Sequence, residues 1–274
     1  MRASAVAAFH AGVLSESHRM QMTQRLDDLL CQRHPALYAD RYGDKQLTAM
    51  YWGFELGDGW FAIVDALSEV LTVQARAAGV PCPVARQVKQ KAGSLRFHVE
   101  VAAEGRQAIA LAEEMSRRTC EVSGRPGRLS CFGRRRLATL APGMKPAGVV
   151  GDQEVMVVAA EADPITGGMD VPPLAFGLDD MARWRADVLA GPVNIPPGWR
   201  DLADALLHVV QRDRERLKPT SIRRIWRDTA GTMGMQVEWT GNGPALEGLS
   251  AMASALSQRI DPASGVMDAS ASCP

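Results

Sequence analysis

Gly59-Trp60 recurs as Gly198-Trp199, and the residues that follow each pair recur with it in the same order. Asp65-Ala66-Leu67 returns as Asp204-Ala205-Leu206 and Val70 as Val209, at an offset of 139. Ala92-Gly93 and Val99-Glu100 return as Ala230-Gly231 and Val237-Glu238, at an offset of 138. Ala112, Ser116, Arg118 and Ser123-Gly124 return as Ala253, Ser257, Arg259 and Ser264-Gly265, at an offset of 141. Matches that recur in order predict one supersecondary unit built twice, provided the periodicities recur with them.

The periodicities repeat as well. Ile63, Ala66, Leu67 and Val70 are spaced i, i+3, i+4, i+7, as are Leu202, Ala205, Leu206 and Val209. That spacing puts one apolar stripe on a helix. Val84 and Val88 then correspond to Ile222 and Trp226 as strand positions. Leu95, Phe97, Val99 and Val101 alternate with Arg96, His98 and Glu100, and Met233, Met235, Val237 and Trp239 with Gly234, Gln236 and Glu238. Period-2 alternation around Ala-Gly predicts a hairpin in each copy. A second helix carries Ala108, Leu111, Ala112 and Met115, matched by Leu249, Met252, Ala253 and Leu256. The expected fold is α+β: two tandem diverged α-β-β-α units, each a small antiparallel sheet packed on helices. The expected divisions are 1–144, a connecting segment 145–197, and 198–274.

Outside the units, helical signal runs from Met22 to Leu30, a strand is expected at Glu154 to Ala159, and a helix at Leu178 to Leu189. Pro192, Pro196 and Pro197 mark a linker, and the small, polar tail from Asp261 reads as disordered.

Of the 274 residues, 46% are hydrophobic and 23% charged, which suits a globular chain. Lys+Arg and Asp+Glu both number 31, which argues against a polycationic nucleic-acid coat but leaves room for a local patch. Five irregularly spaced cysteines point to a reduced, cytoplasmic setting. No apolar run approaches the ~18 residues of a membrane span. Ala5 to Phe9 is too short for a signal peptide, is interrupted by His10, and reads as the start of a helix.

Three blocks carry a resemblance: Trp52 to Trp60 (WGFELGDGW), Gln87 to Phe97 (QVKQKAGSLRF) and Arg118 to Gly124 (RTCEVSG). In these blocks residues 33–144 resemble a family of uncharacterised proteins common in phages, prophages and bacterial genomes. The resemblance implies ancestry rather than an activity. It also implies a zinc-ribbon appendage in most members, with four Cys or His ligands. Here Cys120 remains, but Ser123, Ala141 and Met144 stand at the other three positions. No structural metal and no cofactor are expected.

No phosphate-binding loop, nucleophile elbow or His-Glu-x-x-His motif is present, and no catalytic residue is assigned. Gly57-Asp58-Gly59 reads as a helix-entry turn with Asp58 as a cap. Asp65 and Asp204 recur inside apolar helical stretches and read as dipole or hairpin-backbone contacts. Arg96, His98 and Glu100 share a polar strand face, where acid–base work competes with a solvated sheet surface. Arg117, Arg118, Arg125, Arg128, Arg134, Arg135 and Arg136 form a basic run relieved only by Glu121. Trp60 and Trp199 read as core anchors. Trp52, beside Tyr51, reads as core, with an exposed aromatic patch as the other reading.

The expected function is a non-catalytic protein-binding module, in the phage-like setting an immunity protein or inhibitor directed at a toxin or host factor. Its candidate contacts are the arginine run with Trp52, Arg96 and His98. The alternatives are a nucleic-acid-binding accessory using the same arginines, and an enzyme with an unrecognised site.

Overall fold

The computed structural model describes residues 21–132, 136–145, 155–157, 188–213, 219–239 and 246–267. The chain is α+β, with five helices and three small sheets among the described residues. Helix α1 spans Gln24–Arg33, strand β1 Phe54–Glu55, α2 Phe61–Ala77, β2 Gln87–Lys91, β3 Ser94–His98 and α3 Ala103–Ser116. A second sheet holds β4 (Arg128–Phe132), β5 (Arg136–Leu140) and β6 (Val155–Val157). Then come β7 (Val193–Asn194), α4 (Arg200–Arg212), β8 (Pro219–Arg227), β9 (Met233–Trp239) and α5 (Glu247–Ser257).

The order β7-α4-β8-β9-α5 matches β1-α2-β2-β3-α3 in pairing as well as in sequence. β1 runs parallel to β2 and β7 parallel to β8, and each long pair closes an antiparallel hairpin. The expected α-β-β-α unit therefore gains a two-residue parallel strand in front. Each first helix is entered through a 3-10 turn, Asp58–Trp60 or Pro197–Trp199. The indole N–H of Trp60 donates to the Thr119 carbonyl at 2.7 Å, and that of Trp199 to the Ile260 carbonyl at 3.3 Å. Ser116 and Ser257 each accept a strand N–H, from Leu95 and Met233.

Local chemistry explains the turns. Ala92 and Gly93 both have positive φ, 53° and 73°, as a two-residue hairpin of type I′ requires. The Ala230-Gly231 turn is longer. There Asp228 accepts from the Thr232 backbone N–H and hydroxyl, both at 2.7 Å.

One apolar core joins both halves, from Trp60, Leu67 and Leu111 through Leu206 and Trp199 to Met252. α3 packs on β3 and α5 on β9, while α2, α3, α4 and α5 pack on one another. This places the helices between the two outer sheets.

Several expectations shift. The first helix is Gln24–Arg33, not Met22 to Leu30. β3 ends at His98, so Val99 and Val101 leave the strand. The strand expected at Glu154 to Ala159 is Val155–Val157. Residues 178–187 of the expected helix lie outside the described residues, while Leu189 bridges Ile222. Asp58 does not cap its own turn; its carboxylate accepts the Thr23 N–H at 2.7 Å, ahead of α1. The tail from Asp261 to Met267 is ordered. Asp261 accepts from Ser264, and the Met267 N–H donates to Gly124 at 2.8 Å, which docks a segment whose composition alone reads as disordered.

Candidate functional site

The register of β2 on β3 sets Gln87 opposite His98, Lys89 opposite Arg96 and Lys91 opposite Ser94. The pleat turns Val88, Leu95 and Phe97 into the core. On the other side Gln87, Lys89, Lys91, Arg96 and His98 join Arg86 and the Leu47-Thr48-Ala49 segment around a groove of about 500 Å3. Among the described residues four formal cations line it, and no carboxylate does. Acids stand at its margins. Asp40 pairs with Arg86 at 2.6 Å, Glu113 lies 3.7 Å from Arg96, and Glu55 accepts from Gln87 at 3.2 Å. Burial, then the charges of Lys89, Arg96 and Lys91, lowers the His98 pKa, which favours the neutral ring.

Beside the groove, Thr48 accepts the Met50 N–H at 3.1 Å and starts a 3-10 turn, Ala49–Trp52. Gly53, with φ of 79°, ends it. The turn is held from beneath: Asp27 grips the Arg41 guanidinium through three hydrogen bonds of 2.8–3.1 Å, and Arg41 donates to the Tyr51 carbonyl at 3.1 Å. Tyr51 and Trp52 stack edge to face at 5.3 Å. Trp52 is 58% exposed and Leu47 81%, which corrects the placement of Trp52 in the core. The residue belongs to a turn lifted off the sheet, while Phe54, two positions on, fills the core instead.

Among the described side chains, the arginine run is turned mostly inward rather than gathered on the surface. Arg117, Arg118 and Arg128 are buried, and only Arg125 of those with a described side chain is exposed. Arg134 and Arg135 lie outside the described residues, and the side chain of Arg136 is not described. The physical reason is pairing and packing. Arg118 ends α3 among Glu114, Asp204 and His208. Arg128 donates to the Gly127 carbonyl, and burial lowers its pKa to about 10.

The trio of Arg96, His98 and Glu100 is also divided. Arg96 and His98 line the basic groove, whereas Glu100 follows the strand end into a separate hollow against the helices. Asp65 and Asp204 are neither dipole nor hairpin contacts; each pairs with an arginine from the other half of the chain. Arg86, Lys89 and Lys91 were not singled out as site residues in the sequence. The i, i+2, i+4 spacing of Gln87, Lys89 and Lys91 is the signal that marks them.

Cys120 is buried, and among the described residues no group of three or more His, Cys, Asp or Glu side chains is disposed to hold a metal ion. No described helix is long and apolar enough to cross a membrane. No family model, no curated protein and no solved structure matches the chain.

Proposed function

We propose that the chain is a non-catalytic protein-binding module whose contact surface is the basic groove with its aromatic rim. The observation that carries this reading is the strand register that sets Lys89, Arg96 and Lys91 on one open face, next to the 3-10 turn that carries the exposed Tyr51 and Trp52. Trp, Tyr and Arg are the side chains that most often anchor protein interfaces. The cations call for an acidic partner surface. Two of them already face acids, and Glu55 lies beside the groove, so the surface is mixed in sign. Mixed charge suits a protein better than a phosphate backbone, which rewards an unbroken stripe of cations. In the phage-like setting that the sequence resembles, a toxin or host factor bound by an immunity protein or inhibitor is the partner class.

The test is affinity capture with the full chain and with the K89E/K91E variant at equal folding. One acidic protein held stoichiometrically by the parent and lost by the variant supports the reading. Salt-sensitive DNA or RNA binding that the variant abolishes, with no protein retained, overturns it in favour of a nucleic-acid role.

A further inference from the structure

A second concavity lies on the helical side. The end of α2, the 78–83 loop, the start of α3 and the first turns of α5 converge around a hollow of about 770 Å3. We propose that it binds a small organic cation with an apolar body.

The volume falls in the range of roughly 300–1,000 Å3 typical of small-molecule sites, which recur between packed helices. The lining is mainly apolar: Leu71, Ala75, Val80, Val101, Gly105 and Ala251 are on its walls. Among the described residues that line it, the charged ones are Glu100, Glu104 and Glu247, all acidic. None of the three forms an ion pair or side-chain hydrogen bond among the described residues. They come from three places, the end of the first sheet and the starts of α3 and α5. A cation held beside them gains their charge attraction, while its hydrocarbon body takes the apolar floor out of water. An anion is repelled, and a neutral amphiphile gains only the second of these contributions.

The wall is held by its own backbone contacts. Gly79, with φ of 65°, ends α2 by donating to Arg76 at 3.1 Å, and the Val80 N–H donates to Ala75 at 3.0 Å. Pro81 and Pro83 then fix φ twice in three residues, and the Ala85 N–H ties the strap to the Leu37 carbonyl at 2.8 Å. A preformed site spends little of its binding energy on ordering loops.

The test is calorimetric titration of the full chain with decyltrimethylammonium, decanoate and octyl glucoside, each below its micelle concentration. The expected result is 1:1 binding of the cation, about tenfold or more tighter than either competitor. Glu104→Gln with Glu247→Gln lowers cation affinity about tenfold and weakens its salt dependence, Glu100 alone remaining charged. Ala251→Trp, which fills the hollow, abolishes binding; if that variant fails to fold, the glutamine pair decides. K89E/K91E leaves cation binding unchanged, which separates this site from the basic groove. Equal binding of decanoate, cation affinity indifferent to the glutamine pair, or no 1:1 cation binding overturns the proposal. So does exclusive binding of a lysine-rich amphipathic peptide.

Discussion

Arg118 donates to the Asp204 carboxylate through Nε at 3.1 Å and Nη2 at 2.8 Å, and Arg259 donates to Asp65 in the same way at 3.0 and 2.8 Å. Each arginine follows the last helix of one half, and each aspartate lies in the first helix of the other. The surroundings correspond too. Nη1 of Arg118 donates to the Glu114 carbonyl and Nη1 of Arg259 to that of Ala255, both at 3.0 Å. The remaining group differs: Arg118 meets His208, whereas Arg259 meets Glu69 at 2.6 Å. The correspondence fails once more at the turns. Met267 donates to Gly124, but Pro126, placed as Met267 is in its own turn, has no N–H to return.

Arg118 is 1% exposed and serves two buried carboxylates, Glu114 and Asp204. Arg118→Met should cost about 3–5 kcal/mol, the penalty for leaving buried charge uncompensated. Asp204→Asn should cost less, because Arg118 keeps Glu114. Urea unfolding measures both, and a parental midpoint for Arg118→Met would contradict the pairing.

Acid and alkali should act through different residues. Ion pairing and hydrogen bonds overcome burial to hold Asp65 and Glu114 far below the ordinary carboxylate range. Their stabilisation is complete above the unfolded pKa values near 4 and is lost as pH falls through the depressed folded values. Glu121 behaves oppositely. Burial raises its pKa from 4.5 to about 8, and its Oε2 has no hydrogen-bond partner. Its contribution is present below pH 4.5 and is lost as pH rises to about 8. Glu121→Gln should flatten the alkaline limb of a stability–pH curve and leave the acid limb in place.

Gly59 and Gly198 occupy matching positions where another strand of backbone crosses. A Cβ at Gly59 would collide with the Cys120 carbonyl, and one at Gly198 with that of Asp261. Backbone cannot swing aside as a side chain can. Each glycine-to-alanine change should therefore cost about 3 kcal/mol, the upper end of overpacking penalties. Thermal melts of the two variants give the measurement, and unchanged melting would show that these crossings are looser than drawn.

The two kinds of tryptophan should separate stability from binding. Trp60→Ala empties a fully buried site and should cost about 3–5 kcal/mol. Trp52→Ala removes an exposed ring and should change stability by no more than about 0.5 kcal/mol, while weakening partner capture. A Trp52→Ala chain that retains its partner as well as the parent does would remove this residue from the interface.

Helix and strand periods are local, and they were legible. The stripes of α2 and α4, and the alternation of β3 and β9, follow from residues a few positions apart. β1 and β7 were not, since two residues are too few to show a period. The main partner of Asp65 lies 194 residues away, beyond the reach of any local pattern. The arginine run illustrates the same limit. Charge density along a chain does not say which side chains the fold turns inward, and three of these were needed inside. The groove was half visible, with Arg96, His98 and Trp52 marked from sequence and Lys89 and Lys91 set beside them by the strand register.

The exchanged ion pairs also order events in time. When α2 leaves the ribosome, Asp65 has only Arg33 and His34 for company, and Arg259 is still to be translated. At about 5–20 residues per second, the interval between the two is roughly 10–40 s. Arg118 need not wait as long, for Asp204 follows it by 86 residues. The first half of the nascent chain therefore emerges carrying an unfinished lock, and closure falls to an arginine translated 194 residues after Asp65.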